Sequence, residues 1–155
     1  ETDESYPESL EGGEIPVFLA EKKSQAFDIK DNTLLITADT IVWNNNEVIG
    51  KPQNAADAKR ILQRLSGCVH QVISGVCVRT VTRKCVLKVV SEVQFAPLTE
   101  EEIDFYIENY HPFDKAGAYG IQEWIGYVAV ERISGSFYNI MGLPVQRLYT
   151  ELKTF

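Results

Sequence analysis

Two long valine-rich stretches, residues 68–80 and 85–96, follow one another with only the region of Thr82-Arg83 between them. β-Branched and aromatic residues at this density read as strands, and so short a connection makes the pair an antiparallel hairpin. Any fold for this chain must be built around that hairpin.

Strands and helices alternate on either side of it. Thr33 to Ala38 (TLLITA) is a short continuous apolar run of the kind buried in a central strand, continuing through Ile41-Val42-Trp43 to a turn at Asn44-Asn45-Asn46. Ahead of it, residues 1–14 form an acidic loop. Pro16 stands at a first helical position, and Val17, Ala20, Ser24 and Phe27 recur at helical spacing, predicting a helix over 16–28. Asn54 caps a second helix, Ala55 to Leu65, with Ala58, Ile61, Leu62 and Leu65 on its inner face and Ser66-Gly67 at its end. Thr99 and Glu102 form a capping box for a third helix to about Asn109. Residues 111–126 read as loop and short strand, Tyr127 to Ile133 as a strand, and Pro144 to Leu152 as a last helix. The pattern predicts an α/β fold: a mixed twisted sheet with a long antiparallel hairpin and flanking helices.

The 155 residues make one domain, 1–155, or two closely fused lobes, with 45% hydrophobic and 24% charged residues. No apolar run approaches the roughly 18 residues of a membrane span. A formal net charge of −7 argues against a nucleic-acid polymer as partner, but not against a single nucleotide held by a few lysines and a metal. Glu1-Thr2-Asp3-Glu4 carries no basic or apolar leader pattern, so a cytoplasmic enzyme is expected. Cys68, Cys77 and Cys85 read as small reduced core residues. A disulfide between Cys77 and Cys85 across the hairpin is not expected in the cytosol.

Three segments carry candidate chemistry. Asp39-Thr40 directly follows the buried run, where open α/β sheets place their ligands. Position alone leaves Asp39 as metal ligand, general base or the start of a turn. Gly50-Lys51-Pro52 pins a lysine in an extended loop, suited to a phosphate but also found in ordinary turns. Asp114 to Gln122 interleaves small residues with Lys115, Tyr119 and Gln122, poor core material that suits a backbone lying against a ligand. Lys115 suits a phosphate, Tyr119 a wall, and Gln122 a base, because an amide offers a donor and an acceptor to the O4/N3–H edge of uracil or thymine. Gly135 to Asn139 and Met141 to Pro144 form a turn leading into a helix N-terminus, a natural anion position that is as readily structural. His70 reads as structural and His111 as a loop residue. Two histidines without ligand spacing argue against zinc.

Taken in order, these segments resemble the Maf family of nucleotide pyrophosphatases. The matching stretches are Asp3-Glu4-Ser5, Leu19-Ala20 with Lys23, Ala38 to Val42, and Gly50-Lys51-Pro52. Leu65-Ser66-Gly67 with His70, Glu92-Val93 with Phe95, Asp114 to Gln122, and Gly142-Leu143-Pro144 complete the set. The resemblance implies a Maf/inosine-triphosphatase-like fold with two lobes around a central cleft. It also implies cleavage of the α–β phosphoanhydride of a nucleoside triphosphate, giving the monophosphate and pyrophosphate.

By that resemblance, Asp39 takes the catalytic acidic role and, with Glu4, holds a divalent metal (Mg²⁺, or Mn²⁺ or Co²⁺). Lys23, Lys51 and Lys115 contact phosphates. Thr40 and Gln122 resemble members acting on dTTP and UTP, for nucleotide-pool house-cleaning, and a homodimer is implied. The family's opening strand and Ser/Arg-rich phosphate loop have no counterpart in this sequence. Two other functions fit the resemblance: a nucleotide-binding regulator of septum formation with little turnover, and a pyrophosphatase for unusual purine triphosphates such as ITP or XTP.

Overall fold

The structure, a computed structural model, describes residues 3–155. The first two residues of the expected 1–14 loop lie outside that range, residues 3–13 are loop and turn, and Glu14 already belongs to the first helix. The predicted hairpin is its centre: β3 (Val69–Arg79) and β4 (Lys84–Phe95) pair antiparallel along their whole length, from Val69 opposite Gln94 to Arg79 opposite Lys84. β1 (Leu35–Asn44) lies on the other side of β3, with β2 (Glu47–Ile49) outside it, and β5 (Val130–Ser134) flanks β4. The order is β2-β1-β3-β4-β5.

All pairings among the described strands are antiparallel, where the alternation of helices and strands predicts a mixed sheet. The reason is topological. α2 (Ala55–Leu65) links β2 to β3, two strands running the same way, but β1 lies between them and pairs with both. The β1–β2 connection is tight, because Asn45 and Asn46 take positive φ (51° and 61°), as a two-residue hairpin requires.

One face of the sheet is covered by α1 (Glu14–Gln25), whose Ile15 and Leu19 pack on Ile41 and Ile73. α1 begins two residues before the predicted start and stops short of Phe27, which is 51% exposed. Its buried face is Ile15, Leu19, Ala20 and Ser24 instead of Val17 and Phe27. Close approach decides this register. A Cβ on Gly75 would fall 2.3 Å from the Pro16 carbonyl, so the helix rests directly on the β3 backbone.

The opposite face carries the main core. Ala58, Ile61, Leu62 and Leu65 of α2 join Ile103, Tyr106 and Ile107 of α3 (Glu100–Tyr110) against Val42, Val72, Val93 and Phe95. Farther along, Leu148 of α6 (Val145–Leu152) packs on Val76, Val78 and Leu87. α2, its Asn54 cap and the Thr99–Glu102 capping box form as the sequence predicts.

Residues 127–133 differ from the strand expected there. Trp124–Ala129 is a helix, α4, and the strand β5 begins only at Val130. Ile125 and Ala129 are buried one turn apart while Tyr127 is 85% exposed, a helical pattern too short to distinguish from a strand by period. Phe137–Met141, expected as turn, is a short helix, α5, capped by the Ser136 side chain. Cysteine placement also differs in part. Cys77 is buried, Cys85 half-buried and Cys68 exposed, and all three are free thiols. Cys85 lies opposite Val78 and Cys77 opposite Val86, so the two point to opposite faces of the hairpin and cannot bridge. No helix among the described residues is long and apolar enough to cross a membrane.

Candidate active site

β2 pairs only with Val42 to Asn44, which leaves the Leu35–Ile41 length of β1 with one unpaired edge among the described residues. A cleft of about 710 Å³ lies along this open edge. Alternation turns Asp39 toward α1 and Thr40 toward the opposite layer, and because the edge is open both reach the same cleft. All eight residues singled out in the sequence line it: Glu4, Lys23, Asp39, Thr40, Lys51, Lys115, Tyr119 and Gln122.

At one end the charges interlock. Lys23, reaching from α1, holds Asp39 at 2.5 Å and Glu4 at 3.3 Å, while Lys51 stands 3.6 Å from the other Glu4 oxygen. Glu4 is brought there by its neighbours, since Lys22 binds Asp3 (2.7 Å) and the Ser5 carbonyl (2.7 Å) and so ties residues 3–5 to α1. Burial pushes the Asp39 carboxyl above its ordinary range; the Lys23 hydrogen bond and charge offset this in part, and Glu4 adds to it. For Lys23, burial is outweighed by Asp39 and Glu4, and its pKa is raised. For Glu4, burial is likewise outweighed, by Lys23 and Lys51, and its pKa is lowered. Upward shifts on both partners of the Asp39–Lys23 pair are compatible: the proton stays on the lysine, and Asp39 is a stronger base than a solvated aspartate.

The remaining residues come from two other segments. Thr40 is held by hydroxyl contacts, 2.7 Å to the Ser74 Oγ and 3.1 Å to the Gly142 carbonyl. It therefore ties the β1 edge to the turn after α5. In the Asp114–Gln122 segment, Gly117 (φ 73°) presses on Val42 and its N–H binds the Gly50 carbonyl at 3.1 Å, joining this loop to that of Lys51. Lys115 bonds Asp114 at 2.8 Å and Glu123 at 3.3 Å. Tyr119 is a wall rather than a donor to the cleft, because its hydroxyl is 2.7 Å from the buried His70 ring. His70, edge-on to Phe95 and Tyr119, is structural as expected.

Residues 1–155 match the family described as Maf-like protein. The chain belongs to the Maf family. This Maf chain is 56% identical over 155 residues to the dTTP/UTP pyrophosphatase of Parabacteroides distasonis, covering 99% of this chain and 80% of that one. It is 55% identical over 153 residues to the dTTP/UTP pyrophosphatase of Phocaeicola vulgatus (97% and 79% covered). With the dTTP/UTP pyrophosphatase of Flavobacterium johnsoniae it shares 48% over 156 residues (99% and 80% covered).

The segment from Gly135 to Pro144, read in the sequence as a turn and helix N-terminus, also reaches the Maf site, while Tyr6 carries no local sequence signal. Tyr6, Ile140 and Met141 also line the cleft. Behind it, buried Asn139 donates to the Val72 and Val89 carbonyls (3.2 and 3.3 Å), fastening α5 to the hairpin. The donor set bears on the expected metal. Glu4 and Asp39 turn carboxylate oxygens toward one cationic position, that of the Lys23 ammonium, and no cluster of three or more His, Cys, Asp or Glu occurs among the described residues. Two hard oxygen donors fit an ion such as Mg²⁺, which keeps waters and takes substrate phosphates, rather than one needing an all-protein cage.

Proposed function

We propose that this Maf protein hydrolyses nucleoside triphosphates, with dTTP and UTP as preferred substrates, to the monophosphate and pyrophosphate. The observation that carries this reading is the convergence, in one cleft, of a partly buried carboxylate, three lysines and a glutamine from four separate segments. A volume of about 710 Å³ lies within the range of ligand pockets. The names of the relatives favour the same substrates.

In this mechanism Lys23, Lys51 and Lys115 bind the phosphate oxygens and stabilise charge that develops on them. Asp39, made more basic by burial, accepts a proton from water as the water oxygen bonds to phosphorus. The bridging P–O bond between the α and β phosphates breaks, and pyrophosphate leaves. A Mg²⁺-type ion held by Asp39 and Glu4 would polarise the phosphoryl oxygens when bound. Tyr119 and Thr40 shape the walls. The Gln122 amide meets the O4/N3–H edge of the base. A cytoplasmic location and a homodimer belong to the same proposal, the homodimer tested by light scattering.

The test is a Mg²⁺-supplemented assay over dTTP, UTP, CTP, GTP, ITP and XTP that separates pyrophosphate from phosphate. Pyrophosphate release, fastest from dTTP and UTP, is expected. Preference for ITP or XTP would contradict the role given to Gln122, and binding without turnover would favour the regulator.

A further inference from the structure

The base-reading Gln122 sits inside a four-residue turn, Gly120 to Glu123, closed by the Glu123 N–H to the Gly120 carbonyl (3.0 Å). One hydroxyl holds both ends of this turn. The Tyr106 hydroxyl, on α3, accepts the buried Gly120 N–H at 3.0 Å and donates to the Glu123 carboxylate. Tyr106 is fully buried. The other Glu123 oxygen is 3.3 Å from Lys115. The turn is closely packed as well: a Cβ on Gly120 would meet Glu123, Lys115 and Gln122 side-chain atoms at 3.1–3.2 Å.

We propose that Tyr106 and Glu123 are positioning residues for nucleobase selection, fixing the turn that presents Gln122 and coupling it to the phosphate-side Lys115. The proposal rests on the nucleotide-hydrolysis reading above. A glutamine discriminates bases only from a backbone held in one place, and Gln122, exposed in the cleft, depends on its turn for that. Among the described residues no other side chain hydrogen-bonds both ends of that turn. The phenol serves because it donates and accepts at once; burial and the Glu123 hydrogen bond push its pKa far above neutrality, so it keeps its proton. Phenylalanine would fill the same space but leave the Gly120 N–H and the Glu123 carboxylate without their partner.

The experiment measures kcat/KM for dTTP, UTP and CTP in the wild type, Tyr106→Phe, Glu123→Ala and Glu123→Gln, with thermal melts alongside. In Tyr106→Phe the preference for dTTP over CTP is expected to shrink about tenfold, the size of one lost buried hydrogen-bond partner, mainly through the KM for dTTP. Glu123→Ala, altered at a partly exposed side chain, is expected to narrow the preference similarly even if Tyr106→Phe folds poorly. Glu123→Gln keeps an acceptor for the phenol and should restore the preference while raising KM for all three nucleotides alike. A uniform loss over the nucleotides in Tyr106→Phe and Glu123→Ala would overturn the positioning role and leave the hydrolysis reading intact. A wild type that turns over dTTP and CTP equally would instead overturn the reading of Gln122, and this proposal with it.

Discussion

Lys23 and Asp39 are joined at 2.5 Å across the junction of the first helix and the first strand, with Glu4 closing on the same lysine at 3.3 Å. The lysine and Glu4 act on the basicity of Asp39 in opposite directions. Lys23 lowers the aspartate pKa and Glu4 raises it, both on top of the larger upward push from burial. Replacing Lys23 by Met is therefore expected to move the acid limb of the kcat/KM–pH profile upward, and Glu4→Gln to move it downward. A pH profile of the two variants checks this, and shifts of the same sign would show that Asp39 does not set that limb.

Gly75→Ala tests how the helix is seated. The new methyl would lie 2.3 Å from the Pro16 carbonyl carbon and oxygen and cannot be absorbed by a rotamer change. A loss of roughly 1–3 kcal/mol or more is expected in denaturant unfolding, as for overpacked cores. Because Lys23 rides on the same helix, activity at temperatures below the melt should fall too. Full stability would show that α1 is free to lift from the sheet.

His70 predicts an acid-sensitive core. Burial holds its pKa down, from 6.5 to about 4, which corresponds to roughly 3 kcal/mol. The folded state keeps the ring neutral, so that stability is fully present above pH 6.5 and is lost as the pH falls toward 4. His70→Phe cannot take up the proton, and its unfolding free energy should depend less on pH across that window. It should also be less stable at pH 7 by about 1–3 kcal/mol, because the Tyr119 hydroxyl loses its partner. Equal pH dependence in both proteins would place the acid sensitivity elsewhere.

Thr40 offers a cleaner separation of structure from binding. Its hydroxyl joins Ser74 and the Gly142 carbonyl, so Thr40→Val should cost about 1–3 kcal/mol in stability while Thr40→Ser retains most of it. If the main effect of Thr40→Val is instead on substrate affinity with unchanged stability, the hydroxyl serves the ligand rather than the Gly142 turn.

The elements with strong local signals were legible in the sequence. The hairpin, the capped helix after Asn54 and the capping box at Thr99 each follow from residues within a few positions of one another. The start of α1 was not, because a long-range contact decides it, the Pro16 carbonyl on Gly75, and the helix at Trp124 was not, because Ile125 and Ala129 are too short a pattern to tell from a strand. The cleft divides the same way. Asp39, Lys51 and the Asp114–Gln122 loop stand out as odd local chemistry and do converge. Tyr106 and Asn139 read as ordinary core or turn residues until the fold brings the Gly120 turn and the two hairpin strands to them.

The most direct measurement is pyrophosphate release from dTTP by Asp39→Asn beside the wild type. Asparagine keeps the size and the contact with Lys23 but cannot accept the proton. The expected result is pyrophosphate from the wild type and a loss of about 10²–10⁴-fold in kcat for the variant, with an unchanged melt. Turnover in Asp39→Asn equal to the wild type would contradict the account at its centre.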